Sequence, residues 1–340
     1  MIASAPQDSH RRTSGIRMSM HIFLFIIIAV IFFVFSIAFP IQVQPATDIY
    51  NYQQFWYKLQ SQGLWENIVV YEPGFVIFAK FSSLLFSFSG FVWFVKFLVF
   101  YSFLLFCISL NKDILLVFPL AVIFFVFFPP FDSISGVVIR QGVATAVAFF
   151  YLSVVDFRAI KLKNFVYLSF LAAFFHYSAI FIIFSVVLMY AVRGLGAFYM
   201  WCILNVLYIF NIPGLVGSFF YENSGLNLAS LEVLNTDPNN DYTIGFKLPF
   251  LLVSIVFIVL PIIFSFFGVL KISVKRLLVL PLFRFYLILN SLCILTSLLP
   301  YHDRFYIWSW VFGPALIIYS LSFFKYNFKK FDIKSHIRNI

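Results

Sequence analysis

Long apolar runs alternate with short polar connectors along nearly the whole chain. The runs lie near residues 20–41, 73–89, 91–110, 114–131, 137–155, 164–176, 178–192, 197–212, 248–269, 277–299 and 305–323. Several reach the roughly 20 apolar residues that a helix needs to cross a bilayer. None shows the short alternating segments of a membrane β-barrel. The pattern predicts an all-α fold, a polytopic helical membrane protein in one domain over residues 1–340. Composition agrees: 63% of the residues are hydrophobic and 11% charged, with mean hydropathy +0.99. A soluble fold keeps a largely polar exterior and cannot hide so much apolar surface.

Charge then orients the runs. The net charge is +10, which by itself is compatible with nucleic acid as a partner. The positions exclude that reading. Lys and Arg gather in "HRRTSGIR" (10–17), in "DFRAIKLKN" (156–164), in "KISVKR" (271–276) and in the tail "KYNFKKFDIKSHIR" (325–338). This is the positive-inside distribution, with cytoplasmic connectors enriched in cations. The stretch 223–242 carries Glu232, Asp237 and Asp241 and no cation, so it suits the outer side. Both termini, 1–19 and 324–340, are then cytoplasmic, and the number of crossings must be even. The short run 73–89, with Lys80 and four serines, is expected to leave and return on the outer side as a re-entrant or interfacial helix. About ten transmembrane helices remain. The segments 42–90 and 213–247 form the larger outer-face loops. Cys107, Cys202 and Cys293 lie in apolar runs and match no metal or disulfide spacing. Residues 21–41 read as a retained first helix rather than a cleaved signal.

This topology sends most unexpected ionisable residues to one face. Asp48 follows the first span. Glu72 precedes Pro73, a favoured first residue of a helix, so it reads either as a helix-capping acid or as a functional carboxylate. Tyr50, Tyr52, Trp56 and Tyr57 fit an interfacial aromatic belt or a sugar-stacking surface. Arg140 and Gln141 open a span. His176 sits between two unusually short apolar runs, which implies a wet notch. His302, Asp303 and Arg304 form a charged corner, whose last two residues either serve a ligand or merely pair with each other. Arg284 falls deeper in its run and calls for a partner. Two arginines suit a diphosphate, a carboxylate or imidazole suits removal of a hydroxyl proton, and aromatic rings suit sugars. No metal site and no Walker-type phosphate loop is evident.

The ordered set Asp48-x-Tyr50-x-Tyr52, Glu72-Pro73-Gly74-Phe75, Arg140-Gln141-x-x-Ala144, His176-Tyr177-Ser178-Ala179 and Arg304-Phe305-Tyr306 resembles the EpsG-type family of bacterial polysaccharide polymerases, which includes O-antigen (Wzy-type), capsule and exopolysaccharide polymerases. The resemblance spans roughly residues 45–320. It implies a glycosyltransferase of the bacterial inner membrane, working at the periplasmic face without a cofactor. The donor would be a glycan on undecaprenyl diphosphate and the acceptor a lipid-linked repeat unit. Membrane lipid, a chain-length regulator and a flippase are the partners it implies. Under it, His176, Glu72 and Asp48 are the candidate general bases. Arg140, Gln141, Arg304, Asp303, His302, Tyr50, Tyr52 and Tyr306 are the candidate diphosphate- and sugar-binding residues. Two other readings accommodate the same features: a membrane O-acyltransferase with an essential histidine, and a lipid-linked sugar flippase. Against the latter, no internal repeat is evident, and the unexpected residues gather at one rim.

Overall fold

The computed structural model describes residues 8–44, 47–61, 71–155, 162–223, 245–299 and 302–324. The acidic stretch 224–244, much of the basic connector 156–164 and the tail from residue 325 lie outside them, as does Tyr301 of the charged corner. Every regular element among the described residues is helical.

In chain order the longer helices are α1 (Asp8–Ala38), α2 (Asp48–Ser61), α3 (Pro73–Ser83), α4 (Phe88–Leu110), α5 (Ile114–Phe127), α6 (Pro129–Asp132), α7 (Ile139–Val154), α8 (Leu162–Phe175), α9 (Ile180–Ala191), α10 (Gly196–Ile209), α11 (Ile212–Asn223), α12 (Leu248–Phe266), α13 (Val274–Leu278), α14 (Pro281–Leu295) and α15 (Asp303–Leu321). Among the described residues, three uninterrupted helical stretches, Phe88–Leu110, Leu248–Phe266 and Pro281–Leu298, are long and apolar enough to cross a bilayer alone. Two bent pairs raise that to five: α5 with the segment 129–137, at 74°, and α10 with α11, at 65°. The chain is thus a helical membrane protein of several spans. Its other apolar helices are shorter than the sequence runs imply, so length alone does not give ten crossings.

Local chemistry explains the breaks. The run 114–131 splits because Pro129 and Pro130 start a new helix and Phe128 before them is extended (φ −98°, ψ 107°). A residue preceding proline is pushed out of the helical region. The run 73–89 ends early at Ser83, and its last residues belong to α4. There Ser87 caps the next helix, its hydroxyl accepting from the Gly90 N–H at 3.2 Å. The run 277–299 begins at Pro281, with Leu280 extended before it.

α3 has eleven residues. At 1.5 Å per residue it rises about 16 Å, roughly half of a hydrocarbon core. It packs across the first turns of α4, with Phe75 and Phe78 on Phe91 and Phe78 also on Phe94. The Lys80 ammonium donates to the Leu59 carbonyl near the end of α2, so α2 and α3 form one unit at that rim. Trp56 is buried in this unit against Phe88 and Phe91 and is therefore core rather than belt; Tyr57 is exposed.

The bundle centre is knitted by a polar network. Trp201 donates to Asn290 Oδ1 at 2.8 Å, and the Asn290 amide donates to Ser254 Oγ and Ser309 Oγ at 2.9 and 3.0 Å. It ties α10, α12, α14 and α15 together, and satisfied groups of this kind fix helix register where apolar packing alone is permissive. Arg284 finds its partner at the end of α9: its guanidinium donates to the carbonyls of Met189 and of Val192, the latter at 2.7 Å. It thereby satisfies carbonyls that a helix end leaves open.

Candidate functional site

Glu72 is the centre. It stands immediately before α3 in extended conformation (φ −56°, ψ 135°), and its side chain does not cap the helix. Instead the carboxylate is 2% exposed and bound on both oxygens. Oε2 accepts from Arg140 Nη1 at 2.5 Å. Oε1 lies 2.9 Å from His176 Nδ1 and also accepts from the Tyr177 N–H at 3.3 Å. The capping alternative is removed by this geometry.

Three local devices bring these groups together. His176 is extended (φ −159°, ψ 118°) and interrupts what would otherwise be one helix, with a 3₁₀ turn at Tyr177–Ala179 before α9. The break points an imidazole and a backbone N–H at the same oxygen. Gly74 lets α3 approach the end of α8: a Cβ there would stand 2.6 Å from the Phe174 carbonyl oxygen. Gly142 does the same for α7, where a Cβ would stand 2.1 Å from the carbonyl oxygen of Ile134, in the π-helical turn Ser133–Val137 that precedes Arg140.

Arg140 is held from several sides. Nε donates to the Tyr52 hydroxyl at 2.9 Å. The guanidinium stacks over Tyr71 at 4.5 Å and lies 5.8 Å from the Tyr52 ring. Two of its five donors are thereby directed at named atoms. Arg304, in the first turn of α15, pairs with Asp48 at 2.8 Å, joining α15 to α2. It does so in place of the pairing with Asp303 that the sequence left open. Gln141 is fully buried and donates to the Arg304 carbonyl at 2.8 Å. That bond ties the start of α7 to the first turn of α15. Trp308 further ties α15 to the break after α8 through Ser178 Oγ at 2.8 Å.

The two ion pairs form one constellation. The charges of both Arg140 and Arg304 act on His176, and that of Asp48 acts on Tyr52 and Tyr71. Burial by itself would raise the Glu72 carboxyl, but the hydrogen bond with His176 and the charge of Arg140 outweigh it and bring it to about 2. Burial lowers His176 below its ordinary value, and both arginines add to that, against the opposing pull of Glu72. The consistent state at neutral pH is an ionised Glu72 and a neutral His176 whose Nδ1–H donates to it. Nε2 then carries the lone pair, with no protein partner among the described residues. A carboxylate that fixes the tautomer of an imidazole in this way prepares the other nitrogen as a base.

The remaining sequence candidates fall elsewhere. Tyr50 is on α2, its N–H near Thr47 Oγ1, and makes no side-chain bond to the constellation. Tyr306 is wholly buried among Tyr208, Phe250 and Trp310 and is a core residue. His302 is buried too, its Nδ1 3.3 Å from the Leu299 carbonyl and its ring against Phe250. Burial, with the charge of Lys247, lowers it to about 4. Asp303 faces a separate hollow described below. Tyr71 and the Tyr177 N–H are contributors that the sequence did not single out. No group of three or more His, Cys, Asp or Glu side chains suited to a metal occurs among the described residues.

Compared with known proteins, the chain matches the model of the EpsG family over residues 23–335. No curated protein and no solved structure matches it.

Proposed function

The chain belongs to the EpsG family, and from that premise we propose that it is a polysaccharide polymerase that transfers a glycan from undecaprenyl diphosphate to a lipid-linked repeat unit. The observation that carries the reading is the His176–Glu72–Arg140 chain with Arg304 beside it. One group prepared to accept a proton stands beside two cations that never lose charge. In the proposed reaction a hydroxyl oxygen of the acceptor sugar forms a bond to the donor's anomeric carbon. The bond from that carbon to the diphosphate oxygen breaks with its electron pair. The hydroxyl proton passes to His176 Nε2 and then to water. Undecaprenyl diphosphate leaves as an anion, so it needs neutralisation more than protonation. Arg140 and Arg304, held by carboxylates and tyrosines before substrate arrives, supply it without reorganising.

The two rims of the bundle differ in charge, which supports a periplasmic site. The constellation gathers at the starts of α2, α3, α7 and α15. Lys112 follows the end of α4, and Lys271, Lys275 and Arg276 lie between α12 and α14, where the Leu270–Phe324 bridge marks the far end of α15. A cationic rim is the cytoplasmic one under the positive-inside rule. The termini are then cytoplasmic, and the site opens to the compartment where lipid-linked repeats await polymerisation.

The test is reconstitution of the purified chain in vesicles with lipid-linked repeat units, scored as a ladder on a gel. The wild type is expected to build a ladder and Arg140→Ala to leave single repeats. A wild type that builds none, or a variant that builds chains of normal length, removes the assignment.

A further inference from the structure

A hollow lies on the other side of the first turn of α15 from the constellation. Asp303 and Arg304 are consecutive, and residues one apart on a helix diverge by about 100°. Arg304 therefore turns to Asp48 and the constellation, while Asp303 turns the other way. It meets a cavity of about 330 Å³, the size of a small-ligand site, lined by Pro130, Ser133, Lys247, Phe250 and Trp310 as well as Asp303. Three separate parts of the chain wall it: the α6 corner, the entry to α12 and the start of α15.

The lining is chemically mixed in a particular way. Phe250 and Trp310 stand edge to face, their ring centroids 4.9 Å apart, and the Lys247 ammonium lies 5.3 Å from the Phe250 centroid. Lys247 is close enough for its charge to act on the Asp303 carboxyl. A carboxylate and an ammonium facing one hollow cancel each other at long range, so the cavity has no net attraction for a diphosphate. What it offers is an acceptor for hydroxyl protons, a donor for hydroxyl oxygens, the Ser133 hydroxyl and aromatic surface for an apolar ring face. Those are the needs of a neutral sugar.

We propose that this cavity is a saccharide subsite that holds the acceptor sugar, separate from the arginine-bearing constellation that takes the diphosphate. The inference rests on the polymerase reading for the word acceptor, and on the cavity alone for the word saccharide. It divides the labour of a two-substrate transfer between the two sides of one helical turn. The charged donor group is drawn to Arg140 and Arg304, and the acceptor ring is seated against Phe250 and Trp310. A backbone shift of that turn moves both ligands together.

The experiment uses the full chain in lipid nanodiscs with Ser133→Cys as the reporter and Cys202→Ser to remove the half-buried native thiol; Cys107 and Cys293 are buried. The probe is the repeat oligosaccharide freed from its carrier by mild acid, which lacks a diphosphate and is unable to act as donor. It is expected to slow maleimide labelling of Ser133→Cys at least fivefold. Asp303→Asn, which keeps the side-chain shape, and Phe250→Leu are each expected to raise the half-protecting concentration about tenfold. Inorganic pyrophosphate is expected to protect little. Labelling unaffected by millimolar oligosaccharide overturns the subsite, as does equal or better protection by pyrophosphate, or protection that neither variant shifts. Ladder formation by the wild-type chain in the same nanodiscs with intact lipid-linked repeats judges the polymerase reading by itself, so either conclusion is able to fall while the other stands.

Discussion

Glu72 binds two ionisable side chains and a backbone N–H with one buried carboxylate, and this makes Arg140 structural as well as chemical. Removing one member of a buried ion pair leaves an uncompensated charge, at a cost of about 3–5 kcal/mol. Arg140→Ala is therefore expected to lower the thermal midpoint of the purified protein. The double variant Arg140→Met with Glu72→Gln removes both charges and is expected to recover most of the midpoint, yet to remain without polymer. Recovery of polymer by the double variant would show that neither charge takes part in the chemistry. The pH dependence has a definite sign. Glu72 titrates at about 2 in the fold, below the roughly 4.3 of an unfolded glutamate. Its contribution to stability is complete above the unfolded value and is lost as pH falls through the folded one. His176 is lowered from its ordinary position, so the acid limb of the rate profile belongs below about 6.5, where protonation of Nε2 abolishes the base. His176→Ala is expected to cost 100-fold or more in rate and to erase that limb while the fold persists. An acid limb that survives the substitution would assign it to another group.

The elements carry the site through close approaches rather than through long helices. Gly142→Ala places a methyl group 2.1 Å from the Ile134 carbonyl oxygen, so either α7 or the π-helical turn before it must shift, and Arg140 moves with α7. A much reduced polymer yield at near-normal membrane expression is the expected outcome, read by a ladder gel beside an immunoblot. Arg284→Met retains the apolar stem but strips the end of α9 of its guanidinium. With charged hydrogen bonds worth about 1.5–3 kcal/mol each and two of them lost, stability is expected to fall by about 3 kcal/mol or more, read as a lower thermal midpoint, with chain length unaltered because Arg284 lies far along α14 from the site. Helix boundaries were not legible from apolar extent alone: Pro281 and Ser87, which set the starts of α14 and α4, lie inside the apolar runs 277–299 and 73–89. They were obscured at 114–131, where apolar residues continue through the corner that Pro129 makes. Ionisable residues stood out against the apolar background, so Glu72, Arg140, His176, Asp48 and Arg304 were all readable as candidates. Tyr71, Phe250 and Trp310 were not, because in a chain with 22% aromatic residues one more ring carries no signal. Burial separated Tyr306 and His302 from the constellation, and no periodicity in the sequence discloses which side of α15 a residue in its first turn will face.

At the scale of the whole molecule, groups distant in sequence stand at one rim, and Lys112, Lys271, Lys275 and Arg276 stand at the other. Asp48 and Arg304 are 256 residues apart yet share a 2.8 Å bond, and Arg140 and Glu72 are 68 apart and share one of 2.5 Å. These bonds also tie the short helices α2 and α3 to α7 and α15, so the rim is a built surface rather than a set of loose connectors. If that surface faces the periplasm, impermeant thiol reagents applied to whole cells should have access to Tyr177→Cys, since Tyr177 is 65% exposed and adjoins His176. The same reagents should miss Lys112→Cys and Lys275→Cys until the inner membrane is opened, because both lie at the opposite rim. Neither position is part of the constellation, so polymer length serves as a control that the reporters leave the fold intact. Labelling of Tyr177→Cys and Lys112→Cys from the same side would contradict the two-rim arrangement. Labelling of Lys112→Cys alone from outside would invert it, placing the arginines in the cytoplasm, where a flipped lipid-linked repeat is no longer within their reach.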